Sequence, residues 1–470
     1  MKPRYGRSAG LVVVGALLYV LTFLALYPRT TAIVDEDAYL TGAFLFRTGR
    51  LSYEGSSVPA PHMTVETGGR LASKYPPGTS LFLLPFTLLG WRLVFVSGML
   101  LALAGTTFMV LIMKRLDPEI DPAWALLYLF YPAVVILSRT VMSDLLAATL
   151  VLAAFYCLLR RGRWLIGSGF LLGLACLVRY SNAVFAPVFL ILALRPDGPR
   201  LRLALMLMAG FAPLAGLIAA YNAYAYGSPI SFPMYLTGTF SPAFFLHNAR
   251  YYGTALLILY PLMLAAPLVA GKGRRLLLGL PAYTLLGVYC LFSFTYDAPE
   301  LPARLTLGLR YLLPGLPFFI MGFILAADRL LGRLRAGWLK YAAVTCMALL
   351  SIAIQLRHDR YLRVQAGYQR LLLDNVPASA LLLCDAGVSE LVSYAWGWRD
   401  YRRFVEFNVP IPLDSVLAGD RPLYAGLAVR PGSDNPVVLT IFEGLLSRFP
   451  DRTLVAETKS PWKLRLYRLR

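Results

Sequence analysis

The chain has 470 residues, 58% of them hydrophobic and only 15% charged, with a mean hydropathy of +0.62. That composition excludes a soluble globular chain of this size and assigns a polytopic membrane protein. The excess of 45 Lys and Arg over 25 Asp and Glu, net +20, would point a soluble chain to nucleic acid, but the placement of the charges excludes that reading here.

Lys2, Arg4 and Arg7 precede an apolar run from Ala9 to Tyr27. The run is longer than the core of a secretory signal, and no small-x-small site precedes Asp35, so it reads as an uncleaved first span. A hydrophilic loop follows, from Pro28 to Gly90. It opens on Asp35-Glu36-Asp37 and ends at Lys74-Tyr75-Pro76-Pro77-Gly78. Between these points Tyr39, Leu40, Ala43 and Phe44 share one helical face, which predicts a helix along the membrane surface. The acidic triplet stands at its N-terminus, where the helix dipole favours ionised carboxylates. Capping is the ordinary job of Asp in such a place. Three carboxylates beside hydrocarbon are costly to keep idle, however, which favours a functional role. Gly78 to Leu89 is too short to cross and reads as interfacial or re-entrant.

Further spans are predicted at 92–113, 122–138, 142–159, 164–178, 181–194, 203–225, 253–270, 276–295, 308–327 and 336–356, about eleven with the first. Clustered basic residues mark alternate ends: Lys114/Arg115, Arg160/Arg161/Arg163, Arg195/Arg200/Arg202, Lys272/Arg274/Arg275 and Arg329/Arg333/Arg335. The opposite ends carry lone basics: Arg139, Arg179, Arg250, Arg304 and Arg310. By the positive-inside rule the N-terminus is cytoplasmic, and the acidic triplet faces outward.

After Leu356 the pattern changes. Ala380 to Cys384 and Leu423 to Val429 read as strands, Leu391 to Trp396 and Pro436 to Phe449 as helices, and Trp462 to Leu466 as a half-buried or edge strand. The predicted division is a membrane module, 1–356, containing the outer loop 28–90, and a small extracytoplasmic α/β domain, 357–470.

Five cysteines without a C-x-x-C pair, four of them in or at the ends of apolar spans, read as small apolar fillers. His62, His247 and His358 are too scattered for a histidine zinc site. The polar residues that membrane burial does not explain gather at the outer ends of spans: Asp144, Arg179, Arg304, Arg310 and Lys74, with Asp297 and Glu300 in a loop. Singly, Asp144 could cap a helix and each Arg could reach up to headgroups. Together, carboxylates and cations at one membrane face suit a phosphate-bearing lipid and a nucleophile that needs a base.

Four stretches carry a family resemblance. They are Asp35-Glu36-Asp37-Ala38-Tyr39; Ser73-Lys74-Tyr75-Pro76-Pro77-Gly78; Asn222 through Tyr226-Gly227-Ser228-Pro229 to Tyr235; and Gly308-Leu309-Arg310-Tyr311-Leu312-Leu313-Pro314. In order and topology, over roughly residues 9–330, the chain is similar to GT-C-type integral membrane glycosyltransferases. The similarity is to the bacterial branch that includes protein O-mannosyltransferases and the lipid A aminoarabinose transferase. The resemblance implies an all-α polytopic fold and transfer of a sugar from a polyprenyl-phosphate donor to an acceptor hydroxyl on a lipid, glycan or protein. It also implies a bacterial inner membrane location with the active site facing the periplasm. It implies Asp35 as catalytic base supported by Glu36, and a donor phosphate held by Lys74, Tyr75, Arg179 and Arg310. Asp144, with Asp37, falls where relatives place a second acidic residue that contacts substrate or a divalent ion. No D-x-D stands at Asp144, so a divalent cation is left open. The alternatives are a flippase for lipid-linked sugars, which would need mid-membrane polar residues and inverted repeats not seen here, or a non-catalytic scaffold.

Overall fold

The computed structural model describes residues 5–54, 63–195, 200–231, 239–271, 273–293, 301–385, 387–389, 391–392, 404–407, 419–429, 436–458 and 463–470. Among the predicted features, Lys2, Arg4, His62, Tyr235, Lys272, Asp297, Glu300, Trp396 and Trp462 lie outside these residues.

The chain is a multi-pass membrane protein. Among the described residues five helices are long and apolar enough to cross a bilayer: Ser8–Ala25, Trp91–Leu116, Ser143–Arg160, Arg200–Tyr226 and Leu339–Asn375. A sixth is obtained if Ala303–Leu312 and Leu316–Arg333, bent by 109° at their junction, count as one span. The other predicted spans are interrupted, and the interruptions have physical causes. Pro132 and Pro261 push Tyr131 (ψ 130°) and Tyr260 (ψ 97°) into extended backbone, which splits the segments around them. The segment expected at 122–138 is accordingly a chain of short helices, including Leu126–Leu129 and Pro132–Leu137, buried almost throughout.

Without water to drive apolar burial inside a bilayer, close backbone packing has to hold the helices together. Trp164–Val178 and Arg200–Tyr226 cross at Gly169 and Gly210, where a side-chain carbon on either would overlap the backbone of the other helix. The buried segment is pinned at its end, where the Tyr19 hydroxyl donates to Ser138 Oγ at 2.7 Å and Gly98 lies against the Ser138 backbone.

The predicted surface helix is present as Val34–Arg47, with Asp35, Glu36 and Asp37 in its first turn. It packs against the interfacial helix Gly78–Thr87, whose Ser80 hydroxyl donates to the Tyr39 carbonyl at 2.9 Å. Between them the loop forms a three-stranded antiparallel sheet, with Arg70–Ser73 flanked by Tyr53–Glu54 and Thr64–Thr67. The sequence reading did not anticipate this sheet.

The last long helix, Leu339–Asn375, runs unbroken through residue 356, where the sequence reading set a boundary. Its far end, through Tyr368 and Leu372, packs into one apolar core with Leu382, Val388, Leu464 and Leu466. The five-stranded mixed sheet beside it has the order Phe404–Glu406, Leu381–Cys384, Leu423–Val429, Lys463–Arg468, Thr453–Thr458. A second core, on Leu383, Leu427 and Phe442, seats the helix Pro436–Ser447. Lys463–Arg468 is half-buried as predicted, but it is not an edge strand. It pairs on both sides, and Thr453–Thr458, which the sequence reading missed, forms the edge.

Candidate active site

Glu36 and Asp35 are neighbours in one helical turn with different surroundings. Glu36 is fully buried. Its Oε1 accepts from the Ala32 and Ile33 amides at 2.7 and 3.0 Å, capping the helix, and its Oε2 accepts from the Val141 amide at 2.6 Å. Burial pushes its carboxyl up to about 7 despite these three donors. Glu36 therefore joins the surface helix to the buried 138–143 segment and does not line the cavity described next. Asp37 is also buried outside that cavity.

Asp35 faces a cavity of about 500 Å³. The Tyr75 hydroxyl donates to Asp35 Oδ1 at 2.8 Å, and Arg310 Nη1 donates to Oδ2 at 3.1 Å. Burial, then the adjacent Asp35 charge, raise the Tyr75 hydroxyl well above its ordinary range, so Tyr75 stays a proton donor. Arg310 also donates through Nη2 to the Tyr311 hydroxyl at 2.8 Å, and its guanidinium lies 4.7 Å from the centre of that ring.

In the same cavity Arg179 forms an ion pair with Asp144, with side-chain exposures of 15% and 0%. Both residues stand at helix breaks. Arg179 is extended (φ −151°, ψ 117°) between Trp164–Val178 and the helical turn Tyr180–Val184, which turns its side chain inward. Asp144 is in the first turn of Ser143–Arg160, whose N-cap is Met142, so its carboxylate is not spent on capping. One oxygen, Oδ2, has no hydrogen-bond partner among the described residues. The Arg179 guanidinium lies 5.1 Å from the Tyr311 ring centre, so both arginines face the same aromatic ring.

Lys74 lines the cavity as well. Among the described residues its ammonium has no ion-pair or hydrogen-bond partner. The fixed charges of the cavity are thus two carboxylates, each facing a guanidinium, and one uncommitted lysine. Such a set suits an anion better than a cation. Among the described residues no three His, Cys, Asp or Glu side chains gather as a metal site, and His247 and His358 lie outside the cavity lining.

Gly78 is what lets these walls meet. A side-chain carbon there would lie 2.6 Å from the Leu177 carbonyl, two residues before Arg179. The end of the Lys74–Gly78 stretch is in this way pressed directly against the break that carries Arg179. The 222–229 stretch frames the same region from outside: the Tyr180 hydroxyl donates to Asn222 Oδ1 at 2.6 Å, and the Tyr226 hydroxyl to the Ser73 carbonyl at 2.8 Å.

Of the residues singled out from sequence, Asp35, Lys74, Tyr75, Asp144, Arg179 and Arg310 share one cavity. Glu36, Asp37 and Arg304 do not line it. Tyr39, Ser143, Tyr180, Tyr289, Phe292 and Tyr311 also line it and were not anticipated. Tyr311 follows Arg310 directly and could have been found from that motif. Tyr289, stacked on Tyr311 at 5.3 Å, ends an apolar helix and carries no sequence signal.

Comparison with solved structures identifies the architecture. ArnT from Cupriavidus metallidurans in the apo state superposes with a TM-score of 0.65 over 98% of both chains, at 14% identity. The fold is the GT-C fold. The same enzyme bound to undecaprenyl phosphate matches with a TM-score of 0.66 at 13% identity, covering 99% of this chain and 98% of that one. The apo oligosaccharyltransferase of Archaeoglobus fulgidus matches at 0.52 and 11% identity, over 87% of this chain and 65% of that one. No family model and no curated protein matches the sequence. The GT-C likeness thus lies in the backbone arrangement.

Proposed function

We propose that the chain is a glycosyltransferase that moves a sugar from a polyprenyl-phosphate donor to an acceptor hydroxyl on the extracytoplasmic face of the membrane. The observation that carries the reading is the cavity in which Asp35, Lys74, Asp144, Arg179 and Arg310 converge within a GT-C fold. The match to an ArnT structure holding undecaprenyl phosphate supports the donor class. The clustering of basic residues at the other span ends supports the orientation.

In this reading Asp35 takes the proton of the acceptor hydroxyl, a contribution of roughly 10²–10⁴-fold. The acceptor oxygen forms its bond to the anomeric carbon as the bond from that carbon to the phosphate oxygen breaks, and the electron pair leaves with the phosphate. A phosphate leaves readily once its charge is met, so no second carboxylic acid is required, unlike in a glycosidase. Lys74 and Arg310 meet that charge, and Arg179, across the Tyr311 ring contact, adds to the positive field. Tyr75 holds the Asp35 carboxylate in position and keeps its own proton. The unpartnered Asp144 Oδ2 is available to accept from a hydroxyl of the sugar. A single displacement of this kind inverts the anomeric centre.

The test is transfer in proteoliposomes from a panel of undecaprenyl-phosphate sugars to extracted envelope lipids and glycans. Transfer from at least one donor that Asp35→Asn abolishes supports the proposal. Wild-type protein that transfers from none of them, yet carries the donors across the bilayer, would replace it with the flippase reading.

A further inference from the structure

A second cavity, of about 560 Å³, opens near the same end of the molecule and carries no part of the chemistry proposed above. Arg29, Arg92, Arg363 and Arg370 line it, against Asp359 and Asp374. Asp359 is already committed, to Arg363 at 2.6 Å and to the buried Arg139 at 3.9 Å. Among the described residues Arg29 and Arg370 have no hydrogen-bond or ion-pair partner, and the Arg92 guanidinium contacts only the Trp91 ring, at 5.5 Å. Four guanidinium groups thus line one recess with two carboxylates, one of them already committed, so positive charge is in excess there. Such an excess of guanidinium groups favours an anion, which they can hold by charge-assisted hydrogen bonds.

The opposite lip of the recess is apolar. Leu24, Ala25 and Tyr27, at the end of the first span, line it. Leu24 continues a stripe with Leu17 and Leu21, at helical spacing, each of which is more than half exposed on the flank of that span. Arginines at a span end open onto a lipid-facing groove, so charge and hydrocarbon are offered together at headgroup depth. From this we infer that the recess binds the phosphate of an anionic phospholipid, with an acyl chain lying along Leu17, Leu21 and Leu24. The site is separate from the sugar-transfer cavity. Between the two runs the 138–143 segment, with Arg139 paired to Asp359 on one side and Ser143 lining the Asp35 cavity on the other.

The experiment titrates short-chain phosphatidylglycerol, phosphatidylcholine and inorganic phosphate onto the detergent-purified full chain, with binding read by native mass spectrometry. The variants are Arg29→Gln with Arg370→Gln, and Arg92→Gln separately. All three arginines are exposed, and thermal unfolding of the purified chain in detergent serves as the control for intact structure. The expected result is saturable phosphatidylglycerol binding, tighter than that of the zwitterionic lipid. It should weaken about ten-fold or more in both variants while the control is unchanged. Equal affinity in wild type and variants, or equal affinity for the two lipids, would overturn the inference. Inorganic phosphate that binds as tightly as phosphatidylglycerol would overturn the lipid assignment in favour of a soluble anion.

Discussion

Arg310 and Asp35, 275 positions apart in the chain, meet at 3.1 Å, and the Tyr75 hydroxyl closes on the other oxygen of the same carboxylate at 2.8 Å. The contact joins the loop after the first span to the turn before Leu316–Arg333. It brings a candidate base and a candidate phosphate ligand into one hydrogen-bonded unit. Arg310→Lys keeps the charge but cannot reach both Asp35 and the Tyr311 hydroxyl. Transfer should fall roughly 10–100-fold, mostly in kcat, with thermal stability nearly unchanged. Lys74→Ala should instead raise KM for the lipid-phosphate donor more than it lowers kcat, since Lys74 is not engaged by other described side chains.

The acidic triplet divides by function, and pH should expose the division. Glu36 titrates at about 7 in the folded chain, against an ordinary carboxyl value of about 4.3 when unfolded. The folded state thus holds the extra proton between those values. Stability from this group is complete below about pH 4, is lost as pH rises toward 7, and is flat above it. The change should amount to roughly 3–4 kcal/mol over that whole range. Glu36→Gln turns an amide group toward the Val141 N–H and should cost about 1–3 kcal/mol. Thermal unfolding in detergent from pH 5 to pH 8 should show the decline in wild type and its absence in the variant.

These divided roles also mark how far the sequence could be read. Membrane residence, the surface helix, the interfacial helix and four of the C-terminal elements followed from periodicity and charge placement. Charge placement also singled out Asp35, Lys74, Asp144, Arg179 and Arg310, which share the cavity, whereas Tyr75 came only with the family resemblance. Glu36 could not be separated from Asp35, because which carboxylate points at a cavity depends on a partner 105 residues away, the Val141 amide. The broken segments were read as continuous spans because hydropathy averages over the prolines that interrupt them. The edge strand Thr453–Thr458 and the loop sheet are short and half-polar, with too weak an alternation to announce themselves.

Gly78 provides a test that touches no charge. Alanine there would place a methyl 2.6 Å from the Leu177 carbonyl, and that contact is with backbone. Gly78→Ala should cost about 1–3 kcal/mol of stability and weaken undecaprenyl phosphate binding by displacing Arg179. Alanine at Gly216, where nothing stands within 4 Å, should do neither.

The pair of Arg179 and Asp144 should be strongly non-additive. Arg179→Gln alone strands a fully buried carboxylate and should destabilise by about 3–5 kcal/mol. Adding Asp144→Asn removes that stranded charge and should restore most of the stability. Transfer should stay depressed in the double variant, because the positive charge it contributed to the cavity is gone. A double-mutant cycle on thermal stability and on transfer separates the two effects.

The central claim is that Asp35 removes a proton during sugar transfer. Its most direct test is mass analysis of envelope lipids, glycans and glycoproteins from cells lacking the chain, complemented with either wild type or Asp35→Asn. Both should insert at equal levels. The account predicts a product one sugar heavier that wild type restores and Asp35→Asn does not. Full restoration by Asp35→Asn would contradict it.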